Sequence, residues 1–265
     1  VSLSVPAPLR LQHLASTDST NRVAMDAARA GAPSGLVVVA DRQMAGRGRQ
    51  GRTWLDAGSD SLLVSVMLRP ETPLTHAWAF TFVAGLAALD VATAVDATGA
   101  WLKWPNDLWI GERKAGGVLC ELASQGGRLS AVVLGVGLNL QTPSGGWPHS
   151  IAEQATSLSA SANTTVPRPL ALMTLCESVL KWQGTLSTQG PAALVAAVER
   201  AMQPMVGREV LAEQRGGPVR CTVLGIGQNG ALQLQTEQGE VLALLAGDVH
   251  LSPPQPPRES DASGH

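Results

Sequence analysis

Between Gly46 and Trp54 the chain reads Gly-Arg-Gly-Arg-Gln-Gly-Arg-Thr-Trp, setting Arg47, Arg49 and Arg52 on a backbone that Gly46, Gly48 and Gly51 leave free to bend. Planar, permanently charged forks at that spacing form an anion clamp, suited to carboxylates and phosphates. Two phosphate-binding patterns match superficially: G-x-G-x-x-G, and a P-loop with Arg52 where lysine belongs. Both require a helix that begins where the loop ends, so that backbone amides meet the phosphates. Residues 54–61, with Gly58 and Asp60, make a poor helix start, which argues against both. The plainer alternative is a solvated loop or an RGG-like segment touching RNA, but such segments repeat and this one occurs once, between two strand patterns.

Downstream, Lys103-Trp104-Pro105-Asn106-Asp107 places a cation, a proline turn and an amide-carboxylate pair within five positions. An ordinary Asn-Asp hairpin turn is the default reading. Alternatively, Asp107 can hold a Mg²⁺ ion that shields triphosphate charge, because magnesium takes one or two carboxylates plus substrate phosphates. Lys114 stands just before Gly116 and Gly117, and Gly135-Val136-Gly137-Leu138-Asn139 repeats the theme of glycines within a strand. Such glycines weaken a strand and mark close approach of something else. Asp18-Ser19-Thr20-Asn21 is a helix N-cap by default, and its polar side chains can also face a ligand. Nucleophilic catalysis finds no support: there is no G-x-S-x-G elbow, and His13, His76, His149, His250 and His265 are scattered.

The elements that must position these groups are legible from periodicity. Strands are expected at residues 9–14, 36–40 and 62–68, and helices from Ser19 or Thr20 to Gly31, over 75–97, over 170–186 and over 191–202. Short strands broken at Asn106-Asp107, Gly111, Gly126-Gly127 and Asn139 lie between, with a hairpin at the paired glycines. From Val206 short alternating strands at 210–211, 221–224, 232–234 and 241–244 describe a small all-β module, with turns at Gly216-Gly217, Asn229-Gly230 and Gly239. The chain has 265 residues, 45% hydrophobic and 15% charged, which excludes disorder for its bulk. Its net charge of -2 gives no global field toward nucleic acid or an anionic membrane. Cys120, Cys176 and Cys221 are far apart and odd in number, so a reducing, cytoplasmic setting is expected. No apolar run has membrane-spanning length.

Ser19-Thr20-Asn21, Gln43 with the arginine-glycine segment through Trp54, Lys103-Trp104-Pro105-Asn106-Asp107, Lys114-Ala115-Gly116-Gly117 and Gly135-Val136-Gly137-Leu138-Asn139, in that order, resemble the biotin protein ligases. The combination covers nearly the whole chain, and Val206-Gly207-Arg208-Glu209-Val210 with Gly230-Ala231-Leu232 resembles that family's SH3-like domain. The resemblance implies an α/β fold: a mixed-sheet, class II synthetase-like catalytic domain over 1–204, an SH3-like β-barrel over 205–252, and a disordered tail at 253–265. It also implies a two-step reaction. Biotin and Mg-ATP give biotinyl-5'-adenylate and pyrophosphate, and the acyl group then passes to a lysine of a biotin carboxyl carrier protein.

On that pattern Arg49 and Lys114 are catalytic. Ser19, Thr20, Asn21, Gln43, Gly46, Arg47, Gly48, Arg49, Lys114, Gly117 and Gly135 hold or make room for biotin. Arg47, Arg49, Arg52, Trp54, Lys103, Asn106, Asp107, Lys114 and Asn139 serve ATP, with Asp107 reaching Mg²⁺ through the phosphates. Trp54 is expected to pack under the loop when it closes over the adenylate. Ser19 comes too early to leave room for an N-terminal helix-turn-helix, so the resemblance is to the monofunctional kind, without sequence-specific DNA binding. Gln50 departs from the pattern, standing where relatives often carry another basic residue, and the absence of tyrosine leaves any aromatic wall to tryptophan. Residues 147–158, where adenine contacts are expected, carry too little pattern to assign. Exposed strand edges in this fold class leave room for a homodimer. Lipoate or octanoate ligases of the same fold, a non-catalytic biotin sensor and an RNA-contacting module are the competing readings.

Overall fold

The structure is a computed structural model that describes residues 2–55, 60–214, 217–245, 247 and 249–251. The tail expected at 253–265, Gly58 and the turn residue Gly216 lie outside them. The chain divides into two units, Val1–Gln203 and Pro204–His265.

In the first unit, β1 (Arg10–Leu14), β2 (Leu36–Ala40), β3 (Ser61–Leu68), β4 (Ala100–Lys103), β5 (Asp107–Ile110), β6 (Arg113–Gln125) and β7 (Arg128–Asn139) form one sheet in the order β1-β2-β3-β7-β6-β5-β4. β1 and β2 run parallel and every other neighbouring pair is antiparallel. All eight residues of β3, Ser-Leu-Leu-Val-Ser-Val-Met-Leu, are buried, as befits a strand covered on both faces. The long hairpin of β6 and β7 turns at Gly126-Gly127, both with positive φ, where the sequence places it. Its arms run 13 and 12 residues, long strands that fill the intervals between the expected breaks at Gly111, Gly126-Gly127 and Asn139.

Helices cover the two faces unequally. α2 (Ala79–Ala94) is apolar on nearly every side, so it lies in the interior, packed on β6 and β7 and against α4 (Arg168–Gln189) and α5 (Pro191–Ala201). The expected start at Thr75 is instead a separate 3-10 turn over Leu74–His76. On the opposite face α1 (Thr20–Arg29) buries Ala24, Met25 and Ala28 against Val38, Met67, Ala131 and Val133. A short α3 (Leu158–Ala162) completes the unit. Because α1 spans only ten residues, it covers only part of its face of the sheet, and beside its N-terminus Trp54 lies over Gly117 and Gly137.

The C-terminal end of α1 is anchored by Arg69, just beyond β3. Its guanidinium donates to the carbonyls of Ala28, Ala32 and Ser130 at 2.6, 2.9 and 2.9 Å. One rigid fork thus satisfies helix-end carbonyls and ties them to β7. Arg69→Met should therefore lower unfolding stability by about 2–3 kcal/mol, read from the denaturant midpoint at unchanged slope. A loss below about 0.5 kcal/mol would mean that water replaces the fork without cost.

In the second unit, β8 (Glu209–Gln214), β9 (Gly217–Ile226), β10 (Leu232–Thr236), β11 (Val241–Leu244) and β12 (Val249–Leu251) form an antiparallel sheet in the order β11-β10-β9-β8-β12. Val210, Ala212, Cys221, Val223, Leu232, Leu234 and Val249 fill its interior. β12 has no counterpart among the expected strands: three residues are too few to display a period. Among the described residues no helix is long and apolar enough to cross a membrane.

Candidate active site

The N-terminal turn of α1 packs over Gly135 of β7 and beside Gln43. Ser19 occupies the N-cap position, as the default reading of that segment has it, and is buried, though its side chain makes no capping hydrogen bond. The first helical amide, at Thr20, donates instead to Gln43 Oε1 at 2.8 Å, and the Thr20 hydroxyl lies 3.1 Å from the same oxygen. Gln43 is presented by a segment that runs beside Thr17–Asp18, where Met44 and Ala45 donate their amides to the Thr17 and Asp18 carbonyls.

Behind them Asn21 is fully engaged. Its Nδ2 donates to the Leu119 carbonyl at 3.0 Å and to Glu121 Oε2 at 2.9 Å, while Oδ1 lies 2.6 Å from Ser65 Oγ. Ser65 also lies 2.8 Å from the Thr20 hydroxyl, and Glu121 Oε1 accepts from Arg47 at 2.6 Å. Ser65 and Glu121 are absent from the sequence-based site. The available signal was polarity inside an apolar strand: a serine amid Leu62–Leu68 and a carboxylate in Val118–Ala123.

The arginine-glycine segment folds back on itself. Arg47 pairs with Thr53, the Gly48 amide donates to the Arg52 carbonyl at 2.7 Å, and the Trp54 amide donates to the Gly46 carbonyl at 3.0 Å. The tip is a 3-10 turn over Arg49–Gly51 with Gln50 at φ 54 and Gly51 at φ 75. Gly46 leaves no room for a side chain, since a Cβ there would meet the Trp54 carbonyl oxygen at 2.7 Å.

Gly117 of β6 pairs with Gly137 of β7, and Gly135 lies two residues along the same face. A methyl on Gly135 would overlap the Asn21 amide. One on Gly137 would come 2.6 Å from Trp54 Cε2, and one on Gly117 3.3 Å from Trp54 Cζ3. The indole therefore rests on a floor of bare backbone, with Nε1 buried and without a hydrogen-bond partner.

Cations gather at the far side. The Trp104–Pro105 peptide is cis, and Asn106 donates Nδ2 to the Val118 carbonyl at 2.7 Å while Oδ1 accepts from Arg49 at 3.3 Å. Lys114 Nζ lies 2.7 Å from Asp107 Oδ1 and 5.8 Å from the Trp54 ring centroid, and Lys103 Nζ lies 5.5 Å from that of Trp109. Burial pulls the Lys103 ammonium below its ordinary value; Asp107 works the other way, and Lys114, Arg52 and Arg49 add to the depression. Burial likewise pulls Arg49 down against the pull of Asp107, with Arg52 adding to it. Lys103, Lys114, Arg49 and Arg52 thus press on one another around a single carboxylate, the field an incoming anion would relieve.

Residues 147–158, unassigned from sequence, reach this place: the Lys114 amide donates to the Gln154 carbonyl and the Thr156 amide to the Lys114 carbonyl. Asn139 donates Nδ2 to the Thr156 carbonyl at 2.9 Å and is buried, so it ties β7 to that segment. Nearby Cys120 offers no nucleophile. Burial pushes its thiol up to about 12, only partly offset by a hydrogen bond with Thr81 and the charge of Arg49, and a neutral thiol is a poor attacker.

Residues 13–139 match the biotin/lipoate A/B protein ligase family, and residues 206–252 match the biotin protein ligase C terminal domain. The biotin--[acetyl-CoA-carboxylase] ligase of Paracoccus denitrificans is 34% identical over 85% of this chain and 94% of its own length. The bifunctional ligase/repressor of Bacillus spizizenii is 30% identical over 91% of this chain and 74% of its own. Among solved structures, a biotin protein ligase from Aquifex aeolicus in complex with biotin and ATP aligns with a TM-score of 0.77 at 26% identity, covering 92% of this chain and 98% of that one.

Proposed function

Since this chain belongs to the biotin protein ligase family, we propose that it activates biotin with ATP as biotinyl-5'-AMP and transfers the acyl group to a lysine of a biotin carboxyl carrier protein. The observation that carries this reading is the layout of one sheet face: a polar end at Thr20 and Gln43, a glycine floor, and cations around Asp107. Biotin has the same order of parts. Its ureido group suits Gln43 and Thr20 and its carboxylate suits Arg49 and Lys114, while its flat ring system would take the place over Gly117 and Gly137 that Trp54 covers, since Asn21 fills the space over Gly135.

In the first step a biotin carboxylate oxygen bonds to the α-phosphorus as the bond to pyrophosphate breaks. Both reactants are anionic, so Arg49 and Lys114 lower the barrier by neutralising charge that concentrates as they meet. Arg52 and Lys103 extend the same field over the leaving phosphates, and Arg47, held by Glu121, orders the loop. Asn21, Asn106 and Asn139 have spent their amides on protein partners, so they shape the pocket. In the second step the acceptor lysine amine bonds to the acyl carbon and AMP departs.

Mg²⁺ would be brought by the triphosphate rather than held by the protein beforehand. The described residues hold no group of three His, Cys, Asp or Glu able to cage an ion, whereas a single carboxylate facing substrate phosphates fits its coordination habit. Asp107 would face that ion, which screens phosphate charge. We assign residues 1–204 to this chemistry and 205–252 to an SH3-like domain. The free thiols of Cys120, Cys176 and Cys221 support a cytoplasmic setting.

ATP-pyrophosphate exchange with biotin, lipoate and octanoate in parallel tests the reading. Exchange with biotin alone is expected. Exchange with another acid would move the chain to the lipoate branch, and none despite tight biotin binding would make it a sensor.

A further inference from the structure

Just upstream of Gln43 the chain is gripped by a residue from a distant helix. Asp41 directly follows β2, two residues before Gln43, and its amide donates to the Leu14 carbonyl at 2.9 Å. Its Oδ1 accepts from Arg168 Nη1 at 2.5 Å and lies 2.7 Å from His13 Nε2. Arg168 Nη2 donates to the Ala40 carbonyl at 2.6 Å. Arg168 is the first residue of α4, 127 positions along the chain from Asp41, and its side chain is 16% exposed with Nε buried and unpartnered.

A guanidinium so far out of water keeps the partners it has, because an uncompensated buried charge is costly. The two bonds from its fork grip the last carbonyl of β2 and the first side chain beyond it. The chain that leaves this grip runs beside Thr17–Asp18 and delivers Gln43 Oε1 to the Thr20 amide. Beyond it lie Gly46, Gly48 and Gly51, which supply no stiffness of their own. The register of Gln43 is thus set by the ladder to Thr17–Asp18 and, at the point where the chain enters it, by the grip on Asp41.

We infer that Arg168 is a positioning residue for biotin recognition: by clamping Asp41 and the Ala40 carbonyl, it fixes where Gln43 meets Thr20. The inference rests on the reading that Gln43 and Thr20 hold biotin. Only arginine offers two parallel donors at that spot, so lysine should serve poorly.

The test is steady-state kinetics of the full chain for Arg168→Met, Arg168→Lys, Asp41→Asn, Gln43→Ala and the Arg168→Met/Gln43→Ala double variant. Arg168→Met should raise the biotin KM about tenfold, as one misplaced hydrogen bond would, with kcat and the ATP KM within about twofold. Arg168→Lys should recover less than half of the loss on a logarithmic scale, and Asp41→Asn should raise the biotin KM in the same direction. The double variant should be no worse than Gln43→Ala alone, because both remove one contact. An unchanged biotin KM in both Arg168→Met and Asp41→Asn would overturn the inference, as would effects of Arg168→Met and Gln43→Ala that multiply. Should Arg168→Met not fold, Asp41→Asn carries the test. A biotin KM untouched by Gln43→Ala would instead overturn the underlying assignment of the site.

Discussion

Replacing Arg49 and Lys114 together by alanine should lower biotin-dependent ATP-pyrophosphate exchange by at least about a thousandfold while the protein stays folded. The size follows from the chemistry, in which two anions must touch in a site where burial already weakens the hydration of its cations. Neither side chain supports the fold. Arg49 lies in the turn at the tip of the arginine-glycine segment, and the Lys114 side chain is 37% exposed. The variant gives up the pairing of Lys114 with Asp107 and the 3.3 Å contact of Arg49 with Asn106, while Lys103 still acts on the Asp107 carboxylate. The single variants should each lose less than the pair. Exchange at the wild-type rate in the double variant would mean that positive charge here does not drive activation; a collapsed thermal transition would mean that the pair is structural.

The second large effect separates two glycines on one face of β7. Gly135→Ala pushes a methyl into the Asn21 amide, which the first turn of α1, Leu119, Glu121 and Ser65 all hold in place. Nothing there yields cheaply, so the variant should lose about 2–4 kcal/mol of stability. Gly137→Ala pushes its methyl only into the Trp54 indole, at the end of the arginine-glycine segment, whose ring contacts at Gly137 and Gly117 are made to bare backbone. Here the segment can lift, and stability should fall by less than about 1 kcal/mol. Exchange activity should nevertheless drop at least about tenfold, because the floor of the site and the seat of Trp54 are altered together. Urea melts and exchange assays on the two variants decide it. Equal destabilisation would show that Trp54 is part of the core rather than of a movable cover.

Much of this arrangement was legible in the chain. The strand at Leu36–Ala40, the helix beginning at Thr20, the hairpin at Gly126-Gly127 and the break at Asn106-Asp107 are local matters of side-chain period and turn chemistry, which neighbouring residues settle among themselves. So is the gathering of charge within Gly46–Trp54, since spacing along nine residues bounds how far apart its guanidinium groups can be.

What the sequence could not determine is which distant groups meet. That Ser65 and Glu121 close the network around Asn21, that Gln43 caps a helix twenty-three positions upstream, and that Arg168 grips Asp41 all depend on strands pairing out of chain order and on α4 returning to the end of β2. Local propensity carries no term for such contacts. They exist because burying the two faces of one sheet forces these segments together, and each buried polar group must then find its partner wherever the packing has put one.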